Sequence, residues 1–208
     1  MSFKFKLDNS WADVKLYKRC SVTLKPGLTV LVGCNGSGKS VFLRQLKERL
    51  EKDKITYVDY DNLKDGGSTS IGAAVFQNDI TFAATAILSS EGENINMNLS
   101  RFAARIGQAV RSNRGAEKIF ILLDAIDSGL SIDNIVNFKI FLYNTVFPDI
   151  NDTELYVVAA ANSYELASEE DCYDVAEGKH IKFHDYAAYK QFILDSSDKK
   201  AKRDNIQR

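Results

Sequence analysis

Residues 33–40 have the sequence Gly-Cys-Asn-Gly-Ser-Gly-Lys-Ser, which combines three glycines with a final Lys-Ser pair. The apolar run Leu-Thr-Val-Leu-Val (residues 28–32) precedes them, and Val-Phe-Leu-Arg-Gln-Leu (residues 41–46) follows them. The first run is typical of a buried strand, and the second has the apolar spacing of a helix. A Gly-x-x-x-x-Gly-Lys-Ser pattern between a strand and a helix is the P-loop pattern. This stretch therefore predicts an α/β fold organised around a phosphate-binding loop.

The residue types in the loop explain how it would hold a nucleotide. Glycines let the backbone curl so that successive N–H groups point at phosphate oxygens, and the following helix adds its positive end. Lys39 supplies a charge to the β- and γ-phosphates, and the Ser40 hydroxyl suits Mg²⁺. We therefore predict ATP and Mg²⁺ as ligands and Lys39 as a catalytic residue. The predicted nucleotide-binding residues of the loop are Gly33, Cys34, Asn35, Gly36, Ser37, Gly38, Lys39, Ser40 and Val41.

A second candidate position ends a second apolar strand. Residues 118–124 (Lys-Ile-Phe-Ile-Leu-Leu-Asp) are apolar from Ile119 onwards and then end in Asp124. Uninterrupted apolar strands are typical of parallel sheets that are covered on both faces. A carboxylate at the end of such a strand, beside a P-loop, is suited to hold Mg²⁺. Ser40 and Asp124 are therefore the predicted metal ligands.

The rest of the chain alternates predicted strands with predicted helices, which indicates a mostly parallel sheet. Near its end the sequence predicts a hairpin at Gly178-Lys179 and a short amphipathic helix, capped by Asp185, over residues 185–194. The residues beyond this helix are polar. We therefore predict a single ATPase domain over residues 1–195 and a flexible tail over residues 196–208.

The composition is that of an ordinary globular chain. Its 208 residues are 45% hydrophobic and 26% charged, and the net charge of −1 gives no overall bias towards nucleic acid. The three cysteines lack the spacing of a zinc site or a disulfide framework. No run approaches the ~20 apolar residues of a membrane helix, and the N-terminus lacks the apolar run of a signal peptide. We expect a cytoplasmic protein with no membrane partner.

Two further segments resemble the motifs of ABC-type ATPases. Residues 121–131 (Ile-Leu-Leu-Asp-Ala-Ile-Asp-Ser-Gly-Leu-Ser) are similar to the second Walker motif and the D-loop of that family. Residues 88–93 (Leu-Ser-Ser-Glu-Gly-Glu) are similar to its signature. The resemblance implies an antiparallel N-terminal β part and a small helical insertion that carries the signature. It also implies nucleotide contacts at Ser90, Glu91, Gly92 and Glu93.

The signature resemblance has a consequence for assembly. In ABC-type ATPases the signature of one subunit faces the γ-phosphate that the other subunit holds. The resemblance therefore implies that the partner is a second copy of this chain, in a head-to-tail homodimer with ATP between the subunits.

Ala125 departs from the family pattern. In ABC-type ATPases the residue after the magnesium aspartate is usually a glutamate that orients and polarises the attacking water, and alanine cannot act as a base. One interpretation is a natural ATP-binding switch that barely hydrolyses. The other, which the otherwise intact nucleotide-binding motifs favour, is a glutamate replaced by alanine to trap the ATP-bound state. Both predict that hydrolysis is crippled at the Ala125 position.

Two more family positions have partial matches. The switch histidine of the family corresponds to Asn162, whose amide can bond to a phosphate or a water but cannot carry a proton charge. Trp11 lies roughly where transporter-type members stack an aromatic ring on adenine, although a core or rim tryptophan is an equal alternative. The place of the glutamine loop falls on residues 59–62, and Gln77 is the nearest glutamine.

The resemblance spans residues 3–183 and is stronger to the soluble heads of the SMC and RecF class, and to small phage or bacterial ATPases, than to transporter subunits. It implies an ATP-gated homodimer that acts in DNA transactions such as repair, recombination or phage–host conflict. The alternative is a non-hydrolysing, ATP-dependent scaffold that recruits another protein. A small-molecule kinase would have no use for the signature, which disfavours that third hypothesis.

Overall fold

A computed structural model describes residues 2–10, 15–61, 103–113, 115–128, 130–148 and 153–206, and strands alternate with helices along them. The first half contains β1 (Phe3–Lys6), β2 (Ser21–Leu24), β3 (Gly27–Val32), α1 (Lys39–Lys52), β4 (Thr56–Asp61) and α2 (residues 103–112). The second half contains β5 (Lys118–Asp124), α3 (Ile132–Phe141), a π-helical turn (Leu142–Val146), β6 (Glu154–Ala160), α4 (Tyr164–Ala167), β7 (Asp171–Asp174), β8 (Lys179–Ile181) and α5 (Tyr186–Ile206).

Within the described residues, six strands form one sheet in the order β4-β5-β6-β3-β7-β8. Every neighbouring pair is parallel except the antiparallel hairpin of β7 and β8, which confirms the predicted mostly parallel sheet. β6 lies between β3 and β5, and its Ala160 is in register with both Leu31 and Asp124. The loops that follow β3, β5 and β6 therefore leave the sheet side by side at its carboxyl edge.

Each face of the sheet carries its own hydrophobic core, because successive strand residues point to opposite faces. One core joins Leu31 and Phe120 of the sheet to Phe42 of α1 and to the strands β1 and β2. The other core joins Val30 and Ile121 to side chains of α2, α3, α4 and α5. Burial on both faces explains why β3, β5 and β6 are almost entirely apolar in sequence.

The N-terminal strands form a separate antiparallel pair, as predicted, with Phe3 opposite Leu24 and Phe5 opposite Val22. Apolar and polar residues alternate along β1, and Phe3 and Phe5 are buried while Lys4 and Lys6 are exposed. Residues 103–112 are helical. The predicted signature insertion, residues 88–93, lies outside the described residues.

The last helix differs from the prediction. Asp185 caps it as expected, because its Oδ1 accepts a 2.8 Å hydrogen bond from the Ala188 N–H. The helix does not end near residue 194, however: it is 21 residues long and ends at Ile206. Residues 196–206, predicted as a flexible tail, are therefore helical. Side chains of this segment contact the phosphate loop, as described below. The division into a domain and a tail at residue 195 stays a prediction.

None of the helices in the described ranges combines the length and the apolar character that a membrane span requires.

Candidate nucleotide-binding site

The loop between β3 and α1 has a shape that glycine makes possible. Gly33 has a φ of 145°, and a Cβ there would lie 2.6 Å from Ser37 Oγ. Gly38, which precedes the first residue of α1, has a φ of 105°, and a Cβ there would press on the buried Tyr17 ring at 3.2 Å. Both φ angles lie in the region that side chains disfavour. The glycine spacing of the P-loop pattern is thus accounted for by backbone conformation and by close packing.

Lys39 is the first residue of α1 and folds back over the loop that precedes it. Its Nζ donates to the carbonyl oxygens of Gly33, at 2.7 Å, and Cys34, at 3.2 Å. Burial lowers the pKa of Lys39, and this effect is partly opposed by the negative charges of nearby groups, including Asp127 and Asp124. An ammonium held against carbonyl dipoles in a partly desolvated loop is suited to attract a phosphate anion.

Ser37 is the second feature of the loop that fits a polyphosphate. Its Oγ is buried and has no hydrogen-bond partner within the part of the chain that the structure describes. An unpartnered buried hydroxyl is costly, which makes a ligand that supplies the missing bond favourable there. Together with the half-buried Lys39 side chain, this unpartnered hydroxyl is consistent with a loop shaped to hold phosphate oxygens.

Ser40 and Asp124, the two predicted metal ligands, lie together. The Ser40 Oγ donates a 3.0 Å hydrogen bond to Asp124 Oδ1. A hydroxyl and a carboxylate are hard oxygen ligands of the kind that Mg²⁺ prefers, and Mg²⁺ usually takes only one or two carboxylates beside substrate phosphates. The described residues contain no cluster of three or more His, Cys, Asp or Glu side chains suited to a metal.

The segment after β5 brings a residue to the site that the sequence analysis did not select. Ala125 has a φ of 50°, in the left-handed region, and its carbonyl oxygen accepts a 3.0 Å hydrogen bond from the Ser128 N–H. This turn carries Asp127 to the end of β6, where Asp127 Oδ2 accepts a 2.6 Å hydrogen bond from the Asn162 N–H. The predicted switch position Asn162 therefore contacts the segment of Asp124 and Ala125 through Asp127.

Helix α5 reaches the other side of the loop. The Cys34 N–H donates to Ser196 Oγ at 3.1 Å, and Lys200 Nζ donates to the Asn35 carbonyl oxygen at 3.0 Å. The partners are far apart in the chain: the first contact spans 162 positions and the second spans 165. No local sequence pattern reports such a contact, because the polar composition of residues 195–206 is equally typical of a solvated tail.

The remaining predicted residues divide into two groups. Cys34 is buried, Val41 is half-buried, and Asn35, Gly36 and Ser40 are exposed at the mouth of the loop. The predicted signature contacts and the predicted adenine contact lie outside the described residues; they are Ser90, Glu91, Gly92, Glu93 and Trp11.

A strand, a glycine-rich loop with Lys39 and Ser40, and a helix, beside an acidic strand end on a parallel sheet, define a P-loop nucleotide-binding domain. The family model described as "AAA domain" matches residues 23–158, more than half of the 208-residue chain. The chain belongs to this family of P-loop ATPases, whose members generally use ATP and Mg²⁺. The matched range includes the loop and Asp124 but not Asn162 or α5. A comparison with curated proteins found no match.

Proposed function

We propose that this chain is an ATP-binding ATPase of the ABC type that works as an ATP-gated, head-to-tail homodimer in DNA transactions. One observation carries the ATPase part of the proposal. Lys39, Asp124 and Asn162 follow or end three strands that lie next to one another in the sheet, β3, β5 and β6. A triphosphate on Lys39 would thus have a magnesium ligand and a polar switch residue beside its terminal phosphate.

The homodimer is supported by the resemblance of residues 88–93 to the ABC signature and by the accessible tip of the loop. Asn35 and Gly36 are exposed. A second subunit can therefore approach a bound nucleotide at the tip, whereas Gly33 and Ser37 are buried behind it. ATP then acts as part of the interface, because each bound triphosphate supplies charge that neither subunit supplies alone.

Slow hydrolysis follows from Ala125. Its methyl group occupies the position next to Asp124 where a water-polarising carboxylate is expected, and a methyl group can neither orient nor deprotonate water. The dimer would then persist in the ATP-bound form for longer than in a family member with glutamate. If turnover is absent, the alternative is an ATP-dependent scaffold that recruits a protein partner.

The DNA role is supported by charge at one end of α5. Lys200 contacts the loop, and Lys199, Lys202 and Arg203 lie on the same stretch of helix. A basic helix end beside an ATP site would couple nucleotide occupancy to contacts with phosphates of a DNA backbone.

Sizing by light scattering, with and without ATP and Mg²⁺, tests the dimer. We expect the chain to double its mass only with ATP and Mg²⁺, and Lys39→Ala to stay monomeric under both conditions. A wild-type chain that binds ATP and remains a monomer would contradict the proposed homodimer. Ala125→Glu should raise the hydrolysis rate, and an unchanged rate would count against a crippled base position.

A DNA gel shift tests the proposed DNA-binding role. We expect ATP-dependent binding that weakens steeply between about 50 and 200 mM salt, as counterion release requires. Replacing Lys199, Lys202 and Arg203 together should weaken it. Absence of a shift at low salt, with the ATP-dependent dimer intact, would favour the scaffold.

A further inference from the structure

The turn after β5 holds a carboxylate, Asp127, to which the family resemblance assigns no role. Asp127 is half-buried and lies one tight turn after Asp124. Ala125, within that turn, has a left-handed backbone conformation. A non-glycine residue in this conformation costs about 1–2 kcal/mol. Strain of this kind clusters at functional sites, where the surrounding structure maintains it for a purpose.

The position of Asp127 is defined from two directions. Its Oδ2 accepts the 2.6 Å hydrogen bond from the Asn162 N–H, which fixes the carboxylate at the end of the strand between β3 and β5. Its charge also acts on Lys39, ahead of Asp124 among the aspartates that do so. This interaction is with the ammonium that would bind the β- and γ-phosphates. Burial is the main cause that raises the pKa of the Tyr189 phenol in α5, and the charge of Asp127 adds to it.

From this geometry we infer that Asp127 orients and deprotonates the attacking water in the ATP hydrolysis of this chain, a task that Ala125 cannot perform. The inference rests on the proposed function, because it assigns a role within the ATPase site. Asn162 holds Oδ2, which leaves Oδ1 as the oxygen that receives a hydrogen bond from the water. Asn162 thereby acts as a positioning residue through its backbone N–H.

The water oxygen forms a bond to the γ-phosphorus while its proton passes to Asp127 Oδ1. The bond between the γ-phosphorus and the bridging oxygen breaks, and its electron pair leaves on the β-phosphate of ADP. The proton returns to solvent or to the released phosphate. No oxidant, reductant or further reactant is needed, and the Mg²⁺ expected at Ser40 and Asp124 would offset the charge on the phosphates.

Asp127→Asn is the sharpest single variant, because it keeps the size of the side chain and an oxygen for the Asn162 N–H but removes the basic charge. We expect single-turnover hydrolysis to fall by roughly 10²-fold or more, as for loss of a general base. Affinity for a fluorescent ATP analogue should change by less than about threefold, since the carboxylate does not bind the phosphates. Asp127→Glu should recover part of the rate.

Asp174→Asn is a matched control. Asp174 is also an aspartate at a strand end, and its Oδ1 accepts hydrogen bonds from the Ala176 and Glu177 N–H groups, at 3.1 Å each. It ends β7, which lies on the opposite side of β3 from β6. We expect its hydrolysis rate to stay near that of the wild type. An equal loss in Asp174→Asn and Asp127→Asn would overturn the inference, because both would then reflect strand-end hydrogen bonding.

A double-variant comparison separates chemistry from structure. With Ala125→Glu present, a second base is available, so adding Asp127→Asn should cost less than about threefold in rate. If Asp127→Asn costs the same in both backgrounds, Asp127 has a structural role and the inference is wrong. It is equally wrong if the wild-type chain shows no turnover, or if Asp127→Asn turns over normally.

Failure of the proposed function appears in a different measurement. Sizing would then show no ATP-dependent dimer, or the ATP analogue would not bind at all. An ATP-dependent dimer whose hydrolysis is independent of Asp127 would leave the proposed function standing and remove only the role of Asp127.

Discussion

The two sides of the phosphate loop are built in different ways. On the side of β5 and β6, Asp124, Asp127 and Asn162 come from the ends of parallel strands and their first turns. On the side of β7, Ser196 and Lys200 come from the middle of a helix that crosses from the last part of the chain. The first side has the side chains that we propose act on a triphosphate. The second side bonds to the backbone of the loop itself.

The charges of the two sides also differ. Carboxylates dominate the β5 side, and without a cation they would repel a triphosphate. Basic side chains dominate the α5 side. Lys199 pairs with Glu177, and Lys200 donates to the Asn35 carbonyl oxygen. A nucleotide bound between them would need Mg²⁺ on the first side only. We propose that one side serves chemistry and the other maintains the loop, and each variant below tests that division.

Lys39→Ala is expected to have the largest effect. Lys39 is shared by both sides, because it contacts the loop carbonyls and is attracted by Asp127 and Asp124. We expect ATP affinity to fall by roughly 10²-fold or more, since truncating one partner of a buried charge pair costs about 2–5 kcal/mol. Calorimetric titration with ATP and Mg²⁺ measures it.

Lys47→Ala is the control for that variant. Lys47 lies two turns further along α1 and pairs with Asp59 at 2.6 Å. Its removal should leave ATP affinity within about twofold, as expected for an exposed ion pair. Equal losses in the two variants would mean that the general charge of α1, and not the position of Lys39, attracts the nucleotide.

Asp124→Asn should have the next largest effect, and it should appear only when Mg²⁺ is present. Asp124 accepts the hydrogen bond of Ser40 and is the predicted carboxylate ligand. We expect the gain in ATP affinity on adding Mg²⁺ to shrink by roughly tenfold, since a charged oxygen partner contributes about 1.5–3 kcal/mol. Titration in Mg²⁺ and in chelator measures this gain. Asp174→Asn, at a strand end on the α5 side, should keep the full increase in ATP affinity on adding Mg²⁺. A reduced increase in that variant would contradict the assignment of Mg²⁺ binding to the β5 side alone.

Local sequence signals predicted most of the fold. β5 covers Lys118–Asp124, as its apolar run indicated, and α1 begins at Lys39 directly after the glycines. Periodicity and glycine spacing act over a few residues, so a single sequence reveals them. The order of the strands is non-local, and the insertion of β6 between β3 and β5 could only be inferred from the sheet itself.

The candidate site was predicted unevenly for the same reason. Lys39, Ser40 and Asp124 lie in local motifs, and the structure brings Ser40 and Asp124 together. Asp127 was missed because an alanine gives no warning of a left-handed turn, as a glycine would at Ala125. The sequence did contain a signal for Asp127. It is a second aspartate in the segment that follows β5, a strand expected to lie beside the phosphate loop.

Ser196→Ala tests the α5 side at the level of stability. It removes the acceptor of the Cys34 N–H and leaves that group without its partner. We expect the free energy of unfolding to fall by about 1 kcal/mol, a typical value for one hydrogen bond, while the hydrolysis rate of the folded chain changes little. Urea denaturation measures the first quantity and single-turnover kinetics the second.

Ser197→Ala is the control, because Ser197 is the next residue on the same helix and is exposed. Its effect on stability should be within about 0.5 kcal/mol, as for most surface substitutions. If Ser196→Ala lowers the hydrolysis rate and leaves stability unchanged, the α5 side takes part in chemistry, and the division between the two sides is wrong.

Glu177→Gln should have the smallest effect, and it should depend on pH. Both Glu177 oxygens accept hydrogen bonds from Lys18 Nζ, at 2.9 and 2.8 Å, and this contact lowers the pKa of Glu177. Because the folded-state pKa lies below the unfolded value of about 4.3, the contact stabilises the fold above that pH. The contribution is lost as the pH falls through the folded-state pKa.

The Lys18 side chain is 70% exposed to solvent, which limits this contribution to less than about 1 kcal/mol. Urea denaturation at pH 7 and at pH 3 measures it. The stability difference between wild type and Glu177→Gln should be present at pH 7 and smaller at pH 3, whereas Glu169→Gln, at an exposed carboxylate, should show little difference at either pH. A Glu177→Gln chain that is weakened equally at both pH values would show that the shape of this side chain, and not its charge, holds the hairpin beside α5.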